Sequence, residues 1–432
     1  MTTIHTAPGL AGTADPIAVA GPRDALRCRF CAAPLTTTFV DLGMSPLCER
    51  FLAADQLDEM EPFYPLHVRI CDVCLLVQLP GYVPPEEIFG EYAYFSSYSD
   101  SWVEHARVYS ASMHDRLGLD ATSLVVEVAS NDGYLLQHFV TAGIPVLGIE
   151  PARNVAARGI ERGVPVITEF FGLALAERLV SEGRRADLLI ANNVLAHVPD
   201  LNDFVAGLRC LLAVDGVLTL EFPHLMRLVE GNQFDTIYHE HYSYFTFLTA
   251  QRVLTAHGLT VFDVEELSTH GGSLRLFVGH DAARRQQVGP RVAELLAREA
   301  AAGYLTIEGY AAFERRVHKT KQSLLGFLID ARRRGASVAG YGAPGKGNTL
   351  LNFCAIRTDF LDYTVDRNPY KHGRFLPGTH IPIHPPERLA ETRPDYVFIL
   401  PWNLRAEIGV QLEYVRDWGG RLVVPIPALE VF

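Results

Sequence analysis

Two Cys-x-x-Cys pairs, Cys28-Arg-Phe-Cys31 and Cys71-Asp-Val-Cys74, constrain this chain more than any other feature. A CxxC turn presents two sulfurs to one metal, and two such turns complete a tetrahedral thiolate shell for Zn2+. Four protein ligands leave no open position, so the site is expected to be structural. The 39 residues between the pairs exceed the spacing of a simple zinc ribbon, so the connection must fold as a small subdomain. Short β-like runs at 37–40 and 66–70 lie within it. Cys48, Cys210 and Cys354 have no partner at metal spacing and read as small apolar residues.

Beyond residue 84, short apolar runs alternate with helical patterns. Trp102, Val103, Ala106, Tyr109, Met113 and Leu117 recur at helical spacing. The runs 124–128, 145–150, 186–191 and 217–221 read as buried strands with helices between them. That order argues for a parallel, doubly wound sheet. An Ala-, Arg- and Glu-rich helical stretch over 290–334 follows, and then the alternation restarts. Strands are expected at 337–341, 360–366, 396–401 and 421–425, with a helix opening near Asn348. The expected class is α/β, divided into a frayed tail (1–24), a zinc-binding subdomain (25–83), a central Rossmann-like domain (84–295) and a C-terminal Rossmann-like domain (296–432). A chain of 432 residues accommodates this at ~100–200 residues per domain.

The run Glu127-Val-Ala-Ser-Asn-Asp-Gly133 ends a buried strand and leads into a helix, where a doubly wound fold binds its ligand. Gly133 and the small Ala129 and Ser130 let the backbone approach. Glu127 and Asp132 suit a cationic amino-acid moiety. Glu150, about twenty residues on and at the next strand end, suits a ribose. NAD shares that last feature, but a pyrophosphate needs the glycine-lined turn that is missing here. S-adenosylmethionine carries no phosphate and fits better. Asn192, Asn193 and His197 follow the third strand, where the reacting methyl group would point.

Asp235-Thr-Ile-Tyr238-His239-Glu240-His241-Tyr242-Ser-Tyr244 is the densest group of proton-transfer side chains. Imidazole titrates near neutrality and serves as a general base, a carboxylate orients it, and a tyrosine hydroxyl can steady an oxyanion. Methylation of carbon beside a ketone needs these parts. His224 is a weaker candidate. Further on, Gly340-Tyr-Gly342-Ala-Pro-Gly345-Lys346-Gly347-Asn348 matches GxGxxG between a strand and a helix, with Asp366 about twenty residues later. Lys346 there, and Arg367, Lys371, His372 and Arg374 nearby, suggest a phosphorylated ligand.

A formal net charge of −12 argues against nucleic-acid or anionic-membrane binding, which needs basic surface. No apolar run reaches the ~20 residues of a membrane span, and the first 24 residues lack a secretory pattern. A cytoplasmic protein with a small-molecule substrate is expected. The sequence does not fix an oligomeric state, and a monomer is compatible with it.

Together these residues resemble the S-adenosylmethionine-dependent C-methyltransferases of deoxysugar biosynthesis, which build the branched sugars of antibiotics. The paired CxxC segment, the Glu-x-x-Ser-Asn-Asp-Gly loop, the Tyr-His-Glu-His run and the Lys-Gly-Asn-Thr-Leu-Leu-Asn loop occur in the family's order. The resemblance implies a zinc-binding domain, a central methyltransferase domain and a C-terminal domain, with a sugar nucleotide between the last two. The methyl acceptor would be the carbon beside a 4-keto group on a thymidine-diphosphate sugar, C3 in many members. His241 would be the base, supported by Tyr238 and Glu240. His197 would contact the sugar and Tyr94 would reach the site from the domain junction. Ser130, Asn131 and Asn192 would join the cofactor set. Lys346, Asn348, Tyr92 and Ser97 would bind substrate. Two residues depart from the family pattern: Ala129 stands where glycine is common, and Cys48 where a polar or small residue is expected. The family includes enzymes acting on other ring carbons. Rival readings are an O- or N-methyltransferase, a non-catalytic zinc-anchored binding protein, and a nicotinamide oxidoreductase using the second glycine loop.

Overall fold

The structure, a computed structural model, describes residues 26–89, 95–281 and 287–432. Strands β1 (Thr37–Ser45), β2 (Tyr64–Ile70) and β3 (Val77–Gln78) form an antiparallel meander between and just after the cysteine pairs. In β2 every second residue, Leu66, Val68 and Ile70, is buried, as a half-covered strand requires. Each CxxC is followed by a left-handed residue, Ala32 (φ 59°) or Leu75 (φ 65°). Its N–H returns to the carbonyl of the first cysteine of the pair, 2.9 Å in both cases. The two knuckles are therefore near copies of one another.

The central sheet takes β4 (Val125–Val128), β5 (Val146–Ile149), β6 (Val166–Ile167), β7 (Ala186–Asn192) and β8 (Leu212–Pro223), all parallel. Both faces of β4 and β5 are covered, which is why they read as unbroken apolar runs. The chain runs outward from β4 through β5 to β6 and then returns to the other side of β4 at β7. The carboxyl ends of β4 and β7 thus flank the crevice in which such sheets bind ligands. Next comes β9 (Ser243–Tyr244), which leaves this sheet and pairs with β3: Val77 opposes Tyr244 and Gln78 opposes Ser243. Strands β10 (Leu259–Leu267) and β11 (Ser273–His280) complete the central sheet as a hairpin, with β11 antiparallel to β8.

The expected helical stretch over 290–334 is broken. One helix spans Pro290–Ala301 and a second Phe313–Arg333, because Gly303 at φ +88° ends the first. The division expected at residue 295 falls inside that first helix. The C-terminal sheet has β12 (Val338–Tyr341), β13 (Thr364–Val365), β14 (Ile383–His384), β15 (Tyr396–Ile399), β16 (Arg421–Val424) and β17 (Glu430–Val431), in the order β14-β13-β12-β15-β16-β17. All are parallel except β17. The strand expected over 360–366 shrinks to β13, since the amides of Phe360 and Leu361 turn back onto the Arg357 carbonyl at 2.9 Å.

One apolar core joins Phe39, Leu66 and Val68 to Phe313, Leu350 and Leu351 of the C-terminal unit. Another joins Cys28, Cys71, Cys74 and Leu76 to Leu189, Phe204 and Phe247 of the central one. The zinc-binding subdomain is wedged against both. Among the described residues no helix is long and apolar enough to cross a membrane.

Candidate functional site

The sulfurs of Cys28, Cys31, Cys71 and Cys74 lie within 4.8 Å of one another. Cys28 Sγ is 3.5 Å from Cys74 Sγ, and Cys31 Sγ is 3.5 Å from Cys71 Sγ. A tetrahedral zinc ~2.3 Å from each sulfur sets a sulfur–sulfur spacing of about 3.8 Å, so this donor set fits the ion. Gln78 Nε2, 3.1 Å from Cys28 Sγ, donates toward the thiolate charge. Gln78 belongs to β3, so the metal knuckle continues directly into the strand that pairs with β9.

At the end of β4 the backbone turns through left-handed Ala129 (φ 58°), Asn131 (φ 49°) and Gly133 (φ 75°). Gly133 is required on two counts. Its φ favours glycine, and a Cβ would sit 3.1 Å from Gly159 Cα and 3.2 Å from Val164 Cγ2. Ala129, standing where glycine is common, adopts the left-handed backbone with a Cβ and so carries strain that Gly133 does not. The turn gathers Glu127, Asp132 and Glu150. Glu150 accepts the amides of Asn131 (3.0 Å) and Ala152 (2.9 Å). Asp132 pairs with Arg162 at 3.0 Å. Yet Glu127 Oε2, Ser130 Oγ, Asp132 Oδ1 and Asn192 Oδ1 are buried with no hydrogen-bond partner among the described residues. Burial, with Glu150 and Asp132 alongside, pushes the Glu127 carboxyl well above the usual carboxylate range. Such orphaned acceptors are costly until a ligand meets them. A ligand carrying an ammonium and a sulfonium satisfies this acidic cradle, whereas a pyrophosphate would be repelled. The residues present fit S-adenosylmethionine.

The Tyr-His-Glu-His run sorts its two histidines. His239 Nε2 bonds the Pro65 carbonyl (3.2 Å) and its ring meets Tyr64, so it ties the run to β2. His241 is turned the other way. Its Nδ1 donates to the Thr236 carbonyl at 2.8 Å, which leaves Nε2 as the lone-pair nitrogen. Burial, then the proximity of His197, lowers the His241 pKa well below 6.5, so the ring is neutral at pH 7. His197 meets it edge-on, with centroids 4.7 Å apart, and is itself pushed down to about 4 by burial. The Tyr238 ring lies 4.0 Å from that of His241, and burial keeps its phenol protonated.

The second glycine loop behaves differently from its motif. The helix Gly345–Cys354 starts there, but the Glu49 carboxylate is packed against its first residue, Gly345. A Cβ on Gly345 would lie 2.9 Å from Cys48 Sγ and 3.0 Å from Glu49 Oε1, so no room is left. Asp366 is spent on the loop itself, accepting the Ala343 and Asn368 amides at 2.7 Å each. Lys371 donates to the Ala343 carbonyl and His372 bonds that of Asp366. These groups, which the sequence offered to a phosphorylated ligand, are engaged within the protein itself. Lys346 points elsewhere: Nζ donates to Asn403 Oδ1 (2.7 Å), and its charge acts on Asp235, His241 and His270.

Other expectations shift as well. Asn348, expected to bind substrate, is 1% exposed and its amide donates to the Cys48 carbonyl. Ser97 faces the cofactor loop: its N–H donates to Asp132 Oδ2 (3.3 Å) and its hydroxyl accepts from Arg162 (2.8 Å). Cys48 is no bystander, since its thiol lies 3.6 Å from Glu240 Oε1. Asp235 is buried beside Trp402, whose Nε1 donates to Oδ2 at 2.7 Å. His224 pairs with buried Glu299 at 2.7 Å and caps the helix Phe247–Ala256 through that carboxylate, which is a structural role. Tyr92 and Tyr94 lie outside the described residues. Asp235 opened the proton-transfer run in the sequence, but nothing local foretold the approach of Trp402 or of Cys48 to Glu240.

A zinc-fitted knuckle, an acidic cradle on a doubly wound sheet and a buried neutral base define an S-adenosylmethionine-dependent methyltransferase. Family models match three consecutive spans: a zinc binding domain over residues 28–89, a methyltransferase domain over 102–264 and a C-methyltransferase C-terminal domain over 268–427. C-methyltransferase NovU of Streptomyces niveus is 36% identical over 400 residues, covering 93% of this chain and 95% of that protein. The chain belongs to this C-methyltransferase family. Among solved structures, magnesium protoporphyrin IX methyltransferase of Synechocystis is 18% identical, with a TM-score of 0.32 over 45% of this chain and 88% of that one. An S-adenosylmethionine-dependent methyltransferase of Clostridium acetobutylicum is 11% identical, with a TM-score of 0.34 over 41% and 92%.

Proposed function

We propose that this C-methyltransferase acts on a thymidine-diphosphate-linked 4-keto-deoxysugar, at the carbon beside the ketone, C3, in branched-sugar biosynthesis. The observation that carries the reading is the tautomer of His241. A base whose Nδ1 is locked on a carbonyl, and whose Nε2 is unprotonated at pH 7, is suited to a carbon acid. A heteroatom acceptor already has a lone pair and would not need an enolising base. The α-carbon–hydrogen bond breaks, its proton passes to His241 Nε2, and the electron pair spreads onto the ketone oxygen. Tyr238 would serve as donor and Lys346 as cation, Glu240 would support the run, and His197 would be the edge the sugar meets. Glu127, Ser130, Asn131, Asp132, Gly133, Glu150 and Asn192 would hold the methyl donor. When bound, S-adenosylmethionine supplies a methyl group on a positively charged sulfur, which keeps the bonding pair and becomes a neutral thioether as carbon takes the methyl.

The test is solvent exchange. The protein with S-adenosylhomocysteine and the keto-sugar in heavy water should introduce deuterium beside the ketone, and with S-adenosylmethionine it should add one methyl group. His241→Asn keeps a donor for the Thr236 carbonyl but should lower both rates at least ~10²-fold. Exchange in that variant at the wild-type rate would remove His241 from the role. No methylation across a panel of keto-sugars, with the cofactor still bound, would remove the substrate class.

A further inference from the structure

The segment 268–273, Ser-Thr-His-Gly-Gly-Ser, joins β10 to β11 and was given no role by its sequence. His270 stands there at φ 53° and ψ 21°, left-handed backbone that a residue with a Cβ adopts only when its surroundings impose it. Those surroundings are tight. Thr269 Oγ1 donates to Glu221 Oε1 (3.2 Å), Gln233 Nε2 to the Gly271 carbonyl (2.8 Å), and the His224 amide to the Gly272 carbonyl (3.0 Å). Glu221 is held in turn by Arg275 (2.8 Å) and His105 (3.1 Å). A Cβ at Gly271 would lie 2.8 Å from Gln233, and one at Gly272 2.7 Å from Arg227. Glycine at 270 would be free of strain, yet histidine is the residue present.

Its ring joins two walls of the site. It lies 5.0 Å from the Trp102 ring, which is 6.1 Å from that of Tyr134, the residue after Gly133 in the cofactor turn. It also lies near enough to His197 and His241 for its charge to act on both. Burial pushes its pKa down to about 4, so the ring is neutral and carries one N–H. Neither ring nitrogen makes a hydrogen bond among the described residues. The reacting carbon must lie between the base and the methyl donor, and the ketone carbon is its neighbour.

We propose that His270 is a catalytic residue that donates an imidazole N–H to the ketone oxygen, where charge collects when His241 takes the α-proton. This rests on the enolate reading above. The experiment compares wild type, His270→Gly and His270→Asn for melting temperature, S-adenosylmethionine affinity, α-proton exchange and methyl transfer. The glycine variant should keep its melting temperature and cofactor affinity while kcat for exchange and transfer falls ~10²-fold or more, as for loss of an oxyanion donor. Asparagine tolerates the left-handed backbone and keeps an N–H, so it should recover about tenfold of that loss. A glycine variant within about threefold of wild type in kcat, or one changed only in KM or cofactor affinity, would overturn the assignment while leaving the enolate reading intact. A wild-type protein that neither exchanges nor methylates keto-sugars would overturn both.

Discussion

Replacing Asp235 with Asn should stabilise the protein increasingly as pH rises. Asp235 is fully buried, with Trp402 Nε1 on one oxygen and, among the described residues, no partner on the other. Burial raises its pKa to about 7 from 3.8, despite the opposing field of Lys346. Between those values the folded protein holds a proton that the unfolded chain has released. The stability contributed by this group is therefore full below pH 3.8 and lost as pH rises to 7. One pH unit corresponds to about 1.4 kcal/mol, so the roughly three-unit window amounts to about 4 kcal/mol. Asparagine keeps the shape and an acceptor for the indole but never ionises. The difference in unfolding free energy between variant and wild type cancels the titrating groups that do not interact with Asp235. Urea denaturation at pH 5, 6, 7 and 8 should show that difference growing by about 3 kcal/mol and levelling above pH 7. A difference that stays flat would refute the raised carboxyl. The same variant should turn over more slowly, because Lys346 loses its counter-charge.

Two further outcomes follow from the cradle and the knuckle. Cys71→Ser should lose the bound metal and destabilise the fold, and turnover should fall as well, because the knuckle leads into β3 and β3 pairs with β9, two residues past His241; stoichiometric zinc by elemental analysis, or normal turnover in the metal-free variant, would contradict this. Glu127→Gln should weaken S-adenosylmethionine binding by ~10- to 100-fold through loss of a charge-assisted contact, while the ligand-free protein melts higher because a carboxyl crowded by Glu150 and Asp132 is gone; calorimetric titration and a thermal melt of the same sample check both halves, and unchanged affinity would remove Glu127 from the cradle.

The two glycine loops show where reading the chain succeeds and where it stops. The turn after β4 was legible because its determinants are consecutive: a buried strand, acids at its end, and Gly133 where φ is positive. The loop after β12 has the more literal dinucleotide pattern, yet Glu49, some three hundred residues earlier, packs against its helix start. A local motif records what backbone geometry is possible, not which group arrives there. The histidines of the Tyr-His-Glu-His run are a similar case. Their residue types promise proton transfer, but only Pro65 and Thr236 decide that His239 faces β2 and His241 faces the site.

By itself the sequence determined the elements and their chemistry: two metal-binding knuckles, two doubly wound sheets, the acidic turn and the cluster of bases. These depend on spacing within a few residues, on period and on turn type, all of which are local. The tertiary structure alone decided how they combine. It drew β9 into the zinc-binding sheet, set Cys48 against Glu240 and Asp235 beneath Trp402, closed the second glycine loop, and forced His270 into a strained backbone between the cofactor turn and the base. Each of these is a contact between segments far apart in the chain, fixed by the burial of apolar surface across three sheets. No periodicity within any one segment encodes that.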